Sequence, residues 1–163
     1  MIQTASVSDA WLGRTAAIEY DNAIQYAGVL DLGEEKKDIL PGMVVKNVGN
    51  KHMALYDGTG TPFGLASVAF APTYGKTGLV QVGEDGQFTA IVGGNNTTVR
   101  IFKDALDPKA SFAVSTNGAA VPVYANAEGR LTSVKGSNPV VGALLETDAD
   151  GSIVIQLHEP ALA

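Results

Sequence analysis

The run Val121-Pro122-Val123-Tyr124-Ala125-Asn126-Ala127-Glu128-Gly129-Arg130-Leu131-Thr132 has the pattern of a β-hairpin. Two short β-prone segments, 121–124 and 131–134, flank Glu128-Gly129, and glycine accepts the positive φ that tight hairpin turns require. The same pattern continues outward in both directions. Further strands are expected at 43–48, 53–56, 64–70, 79–82, 87–92, 97–102, 112–115, 140–146 and 152–157. Most are separated by Gly49-Asn50, Asp57-Gly58, Asp85-Gly86, Gly93-Gly94-Asn95-Asn96, Asn117-Gly118 or Asp150-Gly151. Strands spaced about ten residues apart, with such turns between them, describe an all-β barrel or compact sandwich. Residues 104–109 read as a single helical turn that Pro108 interrupts.

Residues 1–40 are written differently. They hold the only tryptophan, Trp11, and few turn residues. Residues 9–24 contain the helix formers Ala16, Ala17, Ile18 and Ala23. Yet Trp11, Leu12, Ile18, Tyr20, Ile24 and Tyr26 fit neither the helical nor the strand period, and Ile18, Tyr20 and Ile24 lean toward extended chain. Glu34-Glu35-Lys36-Lys37-Asp38 reads as a solvated loop. The expected organisation is an extended N-terminal arm over 1–40 and a β-rich domain over 41–163.

Within that domain a weak internal repeat relates 41–82 to 121–157. Each copy opens on a hairpin and then steps through a Pro-Gly segment, Pro62-Phe63-Gly64-Leu65-Ala66 or Pro139-Val140-Val141-Gly142-Ala143. Leu79-Val80-Gln81-Val82 and Ile153-Val154-Ile155-Gln156-Leu157 follow as Val-rich strands.

Composition narrows function by exclusion. A chain of 163 residues that is 45% hydrophobic buries roughly 70% of its unfolded surface, so it folds without a staple. It contains no cysteine, which removes thiol catalysis, thiolate metal sites and disulfides. The two histidines, His52 and His158, build no ligand pair, and Pro160 breaks any metalloprotease helix at His158. Glu146-Thr147-Asp148-Ala149-Asp150-Gly151 begins like a calcium loop but has Leu157 where a bidentate glutamate is needed, so a hairpin turn is expected. Glu84-Asp85 would point to opposite faces of a strand, unsuited to an acid–base pair. No Walker A, dinucleotide or nucleophile-elbow motif occurs.

A net charge of −6 with only three arginines, Arg14, Arg100 and Arg130, disfavours nucleic acid. No stretch is apolar enough for a membrane helix, and the first residues lack a signal-peptide pattern, so synthesis and folding in the cytoplasm are expected. No catalytic constellation, metal site or cofactor site emerges, and an enzyme is the least favoured class.

Residues 41–157 resemble the head decoration, or capsid-stabilising, proteins of tailed bacteriophages, the lambda-type family among them. Leu40-Pro41-Gly42-Met43-Val44-Val45, Pro62-Phe63-Gly64-Leu65-Ala66, the opening hairpin above and Asn138-Pro139-Val140-Val141-Gly142-Ala143-Leu144-Leu145-Glu146 carry the likeness. The resemblance implies a structural virion protein on the exterior of an expanded capsid. It would be a homotrimer that clamps neighbouring major capsid subunits, with neither nucleic acid nor membrane as partner. Two alternatives remain: a carbohydrate-binding β module of a fibre, and a tail-tube or major virion subunit. On the decoration reading, the arm carries the capsid contact through Trp11, Leu12, Ile18, Tyr20 and Tyr26, and deleting residues 1–26 spares the fold. The rival reading packs the arm on its own β domain or on a neighbouring protomer.

Overall fold

Val99 and Ile101 are fully buried, while Thr98 and Arg100 between them are half-exposed. That two-residue period is what a strand with one dry face produces. The computed structural model describes residues 3–6, 17–31, 38–67, 87–94 and 96–160, and among them twelve strands form. These are β1 Gln3–Ser6, β2 Ala17–Asp21, β3 Ile24–Leu30, β4 Val44–Gly49, β5 His52–Leu55, β6 Gly64–Ala66, β7 Gln87–Val92, β8 Thr98–Ile101, β9 Val121–Ala125, β10 Leu131–Thr132, β11 Val140–Thr147 and β12 Ile153–Leu157. A 3-10 turn, Lys103–Ala105, follows β8.

Five strands close a barrel in the order β3-β5-β4-β6-β7, and the other seven form a sheet ordered β1-β2-β8-β12-β11-β9-β10. The expected all-β class is the observed one. Residues 68–70 and 79–82 lie outside the described residues. Residues 112–115 form no strand, and among the described residues the segment runs unpaired between β8 and β9.

The described part of 17–31 is woven into the body. Strand β2 pairs with β8 in the sheet, Ile18 opposite Ile101 and Tyr20 opposite Val99. Strand β3 is a barrel stave, antiparallel to β7 and parallel to β5. These two strands of the expected arm therefore belong to the same core as residues 41–157.

One pairing scheme occurs twice. In the barrel, β4 pairs with β5 on one side and β6 on the other, and β6 then pairs with β7 and β7 with β3. In the sheet, β9 stands between β10 and β11, followed by β12 and β8. The strand that occupies the place of β12 is thus β7 rather than residues 79–82. Barrel closure comes from the parallel β3–β5 pairing, Leu30 opposite Met53. A single parallel bridge, Leu106 to Leu131, stands at the matching place in the sheet.

A continuous apolar core joins barrel and sheet, with Met43, Val45, Leu65, Phe88 and Ile91 from one and Ile18, Ile101, Val123, Ile153 and Ile155 from the other. Thr97, fully buried, pins the two together. Its hydroxyl accepts from Gly94 N–H at 2.9 Å and donates to the Asn22 carbonyl at 2.8 Å, and its own carbonyl accepts from Leu157 N–H at 2.9 Å. A buried hydroxyl left without such partners would destabilise the fold by about 1–3 kcal/mol.

Candidate functional site

The opening hairpin turns out to be the joint between barrel and sheet. Asn126 is buried, and its Oδ1 accepts from the N–H groups of Glu128 (3.0 Å) and Arg130 (2.9 Å), which fixes the turn after β9. Gly129 then takes φ +76° and presents its carbonyl to the Val44 N–H of the barrel at 2.7 Å. On the barrel side the Asp57–Thr59 loop receives it: a Cβ at Gly58 would lie 3.1 Å from the Ala127 methyl. That loop is itself braced, since Lys46 Nζ reaches Asp57 at 2.8 Å and Thr59 Oγ1 at 3.0 Å. The Lys46 ammonium, helped by the Thr59 hydroxyl and N–H, holds the Asp57 carboxyl well below the usual carboxylate range.

Beside this joint an open apolar cleft of about 180 Å³ runs between barrel and sheet, lined by Pro62, Phe63, Val140, His158 and Pro160 among others. Its polar members are Thr61, His158 and Glu159, the last two in the irregular segment after β12. Tyr26 packs edge-on against Phe63 with ring centroids 4.9 Å apart, and both are partly buried against the core. That geometry spends the rings on packing rather than offering a flat platform.

The outer face of the sheet carries a charged cluster. Arg100 on β8 meets Asp148, Glu19 and Glu146, the last two at 3.7 Å, and its guanidinium also reaches Ser152 Oγ at 3.2 Å. The β11–β12 turn that brings Asp148 in is a hairpin, with Asp148 N–H on the Ser152 carbonyl at 3.0 Å and Asp150 accepting from Ser152. Among the described residues no group of three or more His, Cys, Asp or Glu side chains is placed to hold a metal ion. Removing Arg100 leaves three carboxylates facing one another across a wet surface. Arg100→Ala is expected to destabilise the fold by about 1 kcal/mol at low salt, because exposed ion pairs are weak and screened. Thermal melts in low and in about 1 M salt check this, with the difference between variant and wild type shrinking as salt rises.

Of the five residues expected to carry a contact, the structure describes three. Trp11 and Leu12 lie outside the described residues. Ile18 and Tyr20 are buried in the protein's own core, Tyr20 also accepting from Gln25 Nε2 at 2.7 Å, and burial pushes its hydroxyl pKa up. Tyr26 rests on Phe63. The sequence marks Glu128-Gly129 as a turn, but nothing in it marks Asn126 or identifies that turn as a joint. An asparagine four residues before an arginine carries no signal until the barrel is beside it.

Among the described residues no helix is long and apolar enough to cross a membrane. No curated protein and no solved structure matches the chain. A family model described as phage cement protein matches residues 4–163, spanning barrel, joint and sheet alike. Nearly the whole chain is covered, and the chain belongs to the phage cement protein family, whose role is structural and capsid-associated.

Proposed function

We propose that this protein decorates the exterior of an expanded phage capsid as a homotrimer and clamps neighbouring major capsid subunits. The observation that carries the reading is the match of residues 4–163 to a cement family, with both halves of the fold inside it. A rigid, cross-braced body suits a clamp, since the joint and the Thr97 pin resist hinge motion between barrel and sheet. A lambda-type mode of attachment fits the same picture. In this reading the chain is made in the host cytoplasm and adds to the virion without nucleic acid or membrane as partner. The capsid contact belongs to the segment ahead of β2, with Trp11 and Leu12 as anchors. Ile18, Tyr20 and Tyr26 root that segment in the body. Purified protein mixed with expanded and with unexpanded capsids tests it, read by density or microscopy: binding to the expanded form alone is expected, and equal binding to both, or to neither, overturns it.

A ligand that binds only the assembled shell stabilises it by RT ln(1 + [L]/Kd), about 2.7 kcal/mol per site at a hundredfold excess over Kd. Heads lacking this protein are therefore expected to release DNA at lower temperature than decorated heads, as measured by nuclease-accessible DNA on heating. Coincident release curves would falsify the clamp.

A further inference from the structure

Residues 110–127 carry no charge, in a protein whose net charge is −6. The first part of that stretch is also exposed: Ser111, Ala113, Val114 and 116–120 lie at the surface, and Phe112 is only half-buried against the core. No backbone–backbone hydrogen bond among the described residues starts or ends on 111–120. Besides the packing of Phe112, the hydrogen bonds seen there among the described residues are local: Asn117 N–H donates to Ser115 Oγ, and Ala119 N–H and the Ser115 hydroxyl donate to Asn117 Oδ1. Ser111-Phe112-Ala113-Val114-Ser115 is β-prone in sequence, yet its N–H and C=O groups are left for something outside the chain. The uncharged surface continues at Leu145, 46% exposed in the β11 bulge, because its neighbour Leu144 pairs with Val121 at the end of the stretch.

Charge decides the occupant. Two copies of a protein with net charge −6 repel overall, so surface free of charge favours a homotypic contact. Interface centres are depleted of charged residues in just this way. A basic partner would instead be drawn to the carboxylates around Arg100. We infer that residues 110–120, with Leu145 beside them, are the surface by which this chain associates with a second copy of itself. The segment 111–115 supplies strand-like backbone pairing at that contact. The inference rests on the self-association within the proposed function, but not on the capsid role.

The test needs no capsid. Wild type, Val114→Asp and Val48→Asp are compared by analytical ultracentrifugation across concentration, with circular dichroism and melting temperature recorded for each. Val48 is a comparison site, also 46% exposed but on the barrel hairpin. Both valines are exposed, so both variants are expected to fold as wild type. Wild type and Val48→Asp are expected to associate alike, and Val114→Asp to raise the dissociation constant by roughly 30-fold or more, as a charge buried without a partner does. A wild type that is monomeric at every concentration overturns the inference. So does a Val114→Asp variant that associates like wild type, whether or not it has lost capsid binding; loss of capsid binding alone would assign the surface to the shell.

Discussion

Deleting residues 1–26 is expected to abolish cooperative folding rather than to trim a dispensable arm. The cut removes β2 and the first three residues of β3, Ile24-Gln25-Tyr26, which pair with Val92, Ile91 and Ala90 of β7. It takes Ile18, fully buried, and Tyr20, nearly so, out of the core. Each large apolar side chain lost from such a core destabilises by about 2–5 kcal/mol. Opening the barrel wall adds unpaired backbone on β7 and β8. The sum reaches the roughly 5–15 kcal/mol that holds a typical domain folded. Calorimetry should show no unfolding peak, and circular dichroism should show a loss of β signal. A shorter deletion, residues 1–16, removes β1 but leaves Ile18 and Tyr20 in place, so it is expected to melt as a folded protein while capsid binding collapses. If the 1–26 deletion melts like wild type, β2 and β3 contribute far less than their burial implies.

Gly129→Ala is expected to be strongly destabilising. An alanine there is strained by its positive φ, about 1–2 kcal/mol. Its Cβ would also lie 2.4 Å from Leu55 Cδ1, 2.8 Å from Leu55 Cγ and 3.2 Å from the Tyr56 carbonyl. Leu55 is buried in the barrel and has little room to retreat, so overpacking adds about 1–3 kcal/mol. A loss near 3–4 kcal/mol lowers Tm by roughly 10 °C in a chain of this size. Gly136→Ala is the matched comparison: it also has positive φ, +44°, but nothing lies within 4 Å of its Cβ. It should register the backbone strain alone. Equal losses at the two sites would mean that the joint between barrel and sheet yields freely.

The strands were legible where turn chemistry bounded them. The strand β7 matches its expected limits of 87–92, and β4, β5, β8, β9, β11 and β12 agree to within a residue or so at each end, because Gly, Asn and Asp mark chain reversal by their own backbone preferences. The role of β2 and β3 was not legible. Ile18 and Tyr20 look like anchors for a partner because their neighbours follow no clean period; their true partners, Ile101 and Val99, lie some eighty residues away in sequence. Residues 112–115 show the opposite failure, a strand-like sequence that joins no sheet among the described residues. Local pattern reports what a segment prefers, and it is silent on whether a partner is available. The joint was hidden for the same reason, since Asn126 and Gly129 matter only once Val44 and Leu55 are beside them. The surface at 110–120 was readable in one respect, its missing charge.

The order of pairing in the sheet has a consequence in time. Strand β8 lies between β2 and β12, so the layer that buries Ile18 is complete only when residues 153–157 have left the ribosome. At roughly 5–20 residues per second, about 7–27 s separate the emergence of β2 from that of β12. Once made, β8 displays an open edge on the nascent chain until β12 follows, a site where a chaperone that shields strand edges can act. The sheet around β8 therefore closes late: β2 and β8 can pair as soon as both are made, but the far side of β8 stays open until β12 has emerged.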